Sequence, residues 1–390
     1  MNAPAPIVAH YHAEWLPLTM TWLYEQVYRL NAHCSNHVLC ERRSTDTAFH
    51  VPNMHVLGDQ PYFLQWAHRF KKKAGITSYL PFYEHTVSAV HANLIHGHFG
   101  HMGAAMYPLA KKRGLPLLVT FYGMDIHQLP RRYPRLRDQY LSMFSYASAI
   151  LCEGDFMARE IIQLGCQPEK VRVHPLGVDL QKIPFTPATP ADGKQPVRIL
   201  IAASFRQKKG IPDALQAIAN ISGMYRFEVT VIGDAGKDEA SRMEKNRILE
   251  VISRNNMTDY VRLMGFASHQ MLLAQATRTD IFLSPSRHAD DGDSEGGAPV
   301  TLIEMAAAGK IIVSTTHCDI PGVVEHEKTG WLATEASIDD LTAKLHTALQ
   351  ERERWPDMSR NARIKTEEQF NATTQASRLA GLYKEILSHG

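Results

Sequence analysis

Glu295 and Glu304 lie with eight residues between them and bracket Gly296, Gly297, Ala298, Pro299, Val300 and Thr301. The two glycines let the backbone turn tightly and approach a ligand closely. Pro299 suits a first helical position, where its missing N–H costs nothing. The free N–H groups of that helix start, with the helix dipole, suit an anion such as a pyrophosphate. Gly309 suits the helix stop, and Lys310–Val313 then reads as a strand. Glu304 falls inside a helix that is otherwise apolar nearly all round, so it is expected to be buried. A buried carboxylate needs partners, and ribose hydroxyls would supply them. Glu295 stands just before the helix and would repel a phosphate. It is expected to face a sugar hydroxyl or a developing positive charge instead. Taken singly, each glutamate also fits a solvated loop or an exposed stripe. The glycines and the strand–loop–helix context point to a ligand site.

Two other stretches carry chemistry. Residues 202–210, AASFRQKKG, place Arg206 and Lys209 just past a strand, where their charge-assisted hydrogen bonds suit a pyrophosphate. A solvated basic loop is the alternative. Residues 94–125 read strand, glycine turn, helix, strand, loop, with His98, His101, Tyr122, Gly123 and Asp125 at strand ends. Ligands of parallel sheets bind at such ends. His96, His98 and His101 do not make a metal site by spacing alone. Asp290, Asp291 and Asp293 do not match a calcium loop.

The elements that must position these residues alternate between strand and helix, which implies an α/β chain with parallel sheets and right-handed crossovers. Expected strands of the first half are Ile7–His10, Asn36–Glu41, Asn53–Leu57, Leu94–Gly97, Leu115–Phe121, Ser148–Glu153 and Val171–His174. Expected helices there run from the Leu16–Met20 turn to about Leu30, and over Gly103–Arg113, Arg131–Tyr146 and Phe156–Leu164. In the second half the strands are Val197–Ala202, Phe227–Gly233, Tyr260–Leu263 and Asp280–Leu283. Helices start at about Ile211, span Glu239–Arg254, and end with Thr374–Leu387. A length of 390 residues suggests two domains. Residues 183–196, IPFTPATPADGKQP, read as the linker between them. The expected division is therefore 1–182, linker 183–196, 197–370, and a terminal segment 371–390.

Residues 61–73 combine Phe63, Trp66, Ala67 and Phe70 at helical spacing with Arg69, Lys71, Lys72 and Lys73. A basic amphipathic helix suits an anionic membrane surface, and plain core is the competing reading of such a stripe. Arg131, Arg132, Arg135 and Arg137 form a second basic cluster. Net charge is only +2, so a nucleic-acid partner is not expected. Five scattered cysteines fit reduced thiols and a cytoplasmic location. Neither a signal peptide nor a run of about 18 apolar residues is seen.

The stretch EGGAPVTLIE resembles the donor-site signature of the retaining glycosyltransferases of family 4, and the form resembles members that assemble bacterial exopolysaccharide, colanic acid or lipopolysaccharide. The family spacing has seven residues between the glutamates. H-x-H-F-G at His96–Gly100, T-F-x-G-x-D at Thr120–Asp125, PLGVD at Pro175–Asp179 and IPGVVEHEKTGWL at Ile320–Leu332 extend the resemblance. It implies the GT-B fold, two Rossmann-like domains facing a cleft, with the terminal helix crossing back to the first. It implies a nucleotide-sugar donor, UDP- or GDP-linked, and transfer with retention to a glycan or lipid-linked acceptor, without a metal ion. By the resemblance, Lys209 neutralises the departing diphosphate, helped by Arg206, since Ser204 occupies the family's arginine position. Gly296–Thr301 and Glu304 bind the donor, Glu295 contacts its sugar, and His98 and Asp125 act on the acceptor side with His101 and Gly123. Tyr122 replaces a histidine that often touches the transferred sugar. The departing phosphate is expected to take the acceptor proton. The expected location is cytoplasmic, with peripheral contact at an anionic inner-membrane surface. A nucleotide-sugar epimerase and a non-catalytic scaffold subunit are the alternatives.

Overall fold

A computed structural model describes residues 5–17, 20–44, 49–189 and 195–388. Leu18 and Thr19 of the expected Leu16–Met20 turn, and residues 190–194 of the expected linker, lie outside these.

Runs such as Ile281–Ser284 and Ile311–Thr315 are mostly apolar and buried on both faces. That pattern suits central strands of parallel sheets, covered by helices on both sides. The first sheet has seven strands in the order Met54–Val56, Ser35–Cys40, Ile7–Tyr11, Leu94–His98, Leu117–Thr120, Ala149–Cys152 and Val171–Val173, all parallel. The second has six, in the order Val261–Leu263, Phe227–Ile232, Val197–Ala202, Ile281–Ser284, Ile311–Thr315 and Gly330–Ala333, also parallel. In both sheets the strand order reverses beside the sheet's first strand, creating a switch point where ligands bind past the strand ends.

The chain divides into two compact units, Met1–Gly177 with Ala372–Gly390, and Val178–Asn371. The helix Ala372–Ser388 packs Ala376, Leu379, Ala380 and Tyr383 against Val8, Leu94 and Leu118 of the first unit. The described part of the proline-rich stretch is not a free tether. Ile183 and Ala188 are buried, and the N–H groups of Thr186 and Ala188 donate to the carbonyls of Ala308 and Gly309 at 3.1 and 3.0 Å. The second unit thus begins at Val178 rather than at the expected 197, and takes in the described part of the expected linker.

Two further differences have local causes. The single helix expected over Arg131–Tyr146 is two, Gln128–Arg132 and Arg135–Tyr146. Pro134 disfavours the helical region at Tyr133, whose ψ is 81°. Pro299 is the cap rather than the first turn, since its ψ of 129° is extended and the helix runs Val300–Ala307. Gly309 does stop it, at φ +78°.

Candidate functional site

In the second unit, two loops leave the strands that flank the switch point. One follows Val197–Ala202 and carries Arg206, Lys208 and Lys209. The other follows Ile281–Ser284 and carries Asp290–Glu295. They touch where Gly210 meets Pro285. Gly210 sits at φ +61°, and a Cβ there would lie 2.1 Å from the Pro285 carbonyl oxygen. Only glycine allows both the conformation and the approach.

Their charges interlock. Lys209 Nζ lies 2.7 and 2.8 Å from the two carboxylate oxygens of Glu295. Ser286 donates its hydroxyl to Glu295 Oε1 at 2.8 Å. Burial pushes the Glu295 carboxyl up, but the Lys209 and Lys208 ammonium groups outweigh it and hold it at about 2. Lys208 Nζ reaches Asp293 at 3.0 Å and the Ser294 carbonyl at 2.9 Å. Arg206 stays half-exposed, 3.7 Å from Asp293, and Gln207 donates to Asp290 at 2.7 Å. Three of the acidic side chains, Asp290, Asp293 and Glu295, therefore face the Arg206–Lys209 loop rather than one another around a cation.

Gly296 takes the turn at φ +73°, and Gly297 needs no such angle. Ala298 and Pro299 are buried, and Val300 and Thr301 half-buried, at the start of the helix. Glu304 is buried in that helix as expected. Its partner is a protein side chain, His269 Nε2, at 2.7 Å. The sequence reading did not name this partner, which lies 35 positions away in sequence.

In the first unit, the residues expected on the acceptor side form a buried polar chain. His98 is fully buried; its Nε2 meets His10 Nδ1 at 3.0 Å and its Nδ1 meets the Tyr122 hydroxyl at 2.9 Å. His10 Nε2 continues to Asn36 at 3.0 Å. His96 bonds the Tyr383 and Thr120 hydroxyls, both at 2.7 Å. All six ring nitrogens of His10, His96 and His98 have hydrogen-bond partners. Burial lowers the basicity of all three. Asp125 is fully buried and accepts the N–H groups of Gly100 and Tyr122 at 2.6 and 3.1 Å. Burial raises its carboxyl to about 6. His98 and Asp125 thus hold the loop that carries Tyr122 and Gly123.

Sequence reading passed over His12. It is buried, donates through Nδ1 to the Glu14 carbonyl at 2.6 Å, and leaves Nε2 unpartnered. His101 Nδ1 is likewise unpartnered. Both rings flank Phe99, at 5.7 and 5.9 Å. Phe99 holds φ +77° and ψ 141°, a region that costs a side-chain-bearing residue about 1–3 kcal/mol. The position of His12 just past the first strand was the available signal.

The family described as Glycosyltransferase Family 4 matches residues 21–182, and that described as Glycosyl transferases group 1 matches residues 185–365. The amylovoran biosynthesis glycosyltransferase AmsK of Erwinia amylovora is 31% identical over 292 residues, covering 74% of this chain and 69% of that protein. The putative colanic acid biosynthesis glycosyltransferase WcaL of Escherichia coli is 29% identical over 297 residues, covering 73% and 70%. Anabaena HepE, solved with UDP and glucose, superposes with a TM-score of 0.76 at 16% identity, covering 97% of this chain and 99% of that one. With two parallel-sheet α/β units and these relatives, the chain belongs to the family 4 glycosyltransferases and has the GT-B fold.

Proposed function

We propose that the second unit binds a nucleotide-diphosphate sugar and that the enzyme transfers the sugar, with retention, to a glycan or lipid-linked acceptor in exopolysaccharide assembly. The observation that carries this reading is the Lys209–Glu295 pair beside the start of the helix Val300–Ala307. An ammonium has three donors, so Lys209 can hold Glu295 and a phosphate together. Lys209, Arg206 and the helix start would stabilise the charge that develops on the leaving diphosphate. These cations do the work for which other folds use a metal, and we propose a reaction without one. Glu295, held ionised, faces the positive charge that grows on the sugar. Glu304 has about four lone-pair sites, so the His269 bond leaves room for ribose hydroxyls. AmsK and WcaL, named for exopolysaccharide biosynthesis, support the pathway class.

Thermal shift against UDP- and GDP-linked sugars tests the reading. Ligand at about 100 times its dissociation constant adds roughly 2.7 kcal/mol to apparent stability. A selective shift for one nucleotide, weakened in Glu304→Ala, is the expected result. No shift with any nucleotide in folded protein would overturn it. Product analysis then separates transfer from epimerisation.

We also propose peripheral contact with an anionic bilayer. The helix Tyr62–Lys73 buries none of its residues. Tyr62 is 80% and Trp66 60% exposed, Phe63 and Phe70 are exposed, and Lys71–Lys73 follow. Among the described residues no helix is long and apolar enough to cross a membrane. Burying one such aromatic ring is worth about 1.5–3 kcal/mol. Phe63→Ser with Trp66→Ser is therefore expected to weaken co-sedimentation with anionic vesicles by about tenfold or more. Unchanged sedimentation would remove this helix from the interface.

A further inference from the structure

His317, Glu335 and His288 form a cluster behind the donor loop that has no assigned role. Glu335 accepts from the His288 backbone N–H at 2.6 Å, from His288 Nδ1 at 2.7 Å and from His317 Nδ1 at 2.9 Å. The His317 ring is fully buried and stands edge-on to His288, with centroids 4.6 Å apart. Its other nitrogen, Nε2, faces the Glu295 backbone N–H at 3.1 Å and the Cys318 sulfur at 3.1 Å. The next residues continue the grip, since the Asp319 N–H lies 3.4 Å from the Gly297 carbonyl.

These bonds specify one form of the ring. A backbone N–H can only donate, so Nε2 must carry a lone pair. The carboxylate of Glu335 can only accept, so Nδ1 must carry the proton. The neutral Nδ1–H tautomer satisfies both, and an imidazolium would set an N–H against the Glu295 N–H. Burial also disfavours the charged ring, though Glu335 favours it. Without His317, the Glu295 N–H would lose its partner in a half-buried turn.

We infer that His317 is a positioning residue. Locked by Glu335 as the neutral Nδ1–H tautomer, it fixes the Glu295 backbone and so sets where the Glu295 carboxylate meets Lys209 and the donor sugar. The inference rests on the donor-site reading above.

The test compares His317→Leu, His317→Gln and Glu295→Gln by steady-state transfer and donor hydrolysis. Leucine removes both bonds. Glutamine offers an amide oxygen for Glu295 and an amide N–H for Glu335. Small displacements of a reacting group cost large factors in rate, so His317→Leu is expected to lower kcat about tenfold or more. Its donor KM should stay within about threefold, because the diphosphate contacts are intact. His317→Gln should recover most of the loss. Nitrogen-15 NMR of the imidazole at neutral pH should show Nδ1 protonated and Nε2 bare, a readout independent of activity. An Nε2–H tautomer, an imidazolium, or full kcat in folded His317→Leu would overturn the inference. Equal losses in the leucine and glutamine variants would also overturn it. If Glu295→Gln transfers like the wild type, the donor-site reading itself fails and the inference falls with it. If Glu295→Gln is impaired and His317→Leu is not, only the positioning role is lost.

Discussion

Lys209→Ala is expected to lower kcat/KM for transfer by about 10²–10³-fold, the cost of removing one preorganised charge-stabilising donor. The loss should fall mainly on kcat, because the ammonium matters most when the diphosphate departs. The same change leaves the Glu295 carboxylate, with a side chain only 8% exposed, without its closest cation. A stability effect follows, and its sign can be worked out. In the wild type the carboxyl lies at about 2 when folded, below its ordinary value of 4.5. The unfolded chain therefore binds the proton first. The pair contributes stability above the ordinary value and loses it as pH falls from 4.5 toward 2. In Lys209→Ala that acid limb should flatten, and the thermal midpoint at neutral pH should drop. Lys209→Arg keeps the charge and should keep most of the acid limb. Transfer assays with thermal melts from pH 2 to 8 check both. An alanine variant with wild-type turnover would remove Lys209 from the reaction.

Tyr383→Ala is expected to destabilise the first unit by about 3–5 kcal/mol, as large-to-small changes of buried aromatics do. Tyr383 is fully buried on the helix Ala372–Ser388 and packs with Val8, Leu94 and Leu118. Its hydroxyl bonds His96 Nδ1 at 2.7 Å. The phenylalanine variant isolates that bond and should cost about 1–3 kcal/mol, the penalty of leaving a buried polar group unpaired. Native-state hydrogen exchange of the strand Leu94–His98 measures the loss in the first unit separately from the second. Unchanged protection in Tyr383→Ala would mean that the helix does not stabilise this sheet.

The sequence by itself determined the alternation of strand and helix, and with it the two parallel-sheet units. Val197–Ala202 and Glu239–Arg254 were readable to the residue. The first is an apolar run broken only by the exposed Arg198, and the second has a local start, where Asp238 accepts the Ser241 N–H at 3.0 Å. The turn at Gly296, the stop at Gly309 and the burial of Glu304 were also legible, because glycine and a lone acid in an apolar helix act through their own backbone and burial. Side-chain partners were not. Glu304 meets His269, Glu295 meets His317 and Lys209, and His98 meets His10 across separations of 22 to 88 residues. Local periodicity carries no record of which side chains two loops bring together. A histidine at a strand end therefore reads alike whether it faces a ligand or, as with His98, closes a buried hydrogen-bonded chain. Asp125 reads alike too, and only the packing of Gly100 and Tyr122 around it shows that its carboxylate accepts two backbone N–H groups. The tertiary structure decided these partners, because partner distance and the dryness of each site exist only once the elements have packed.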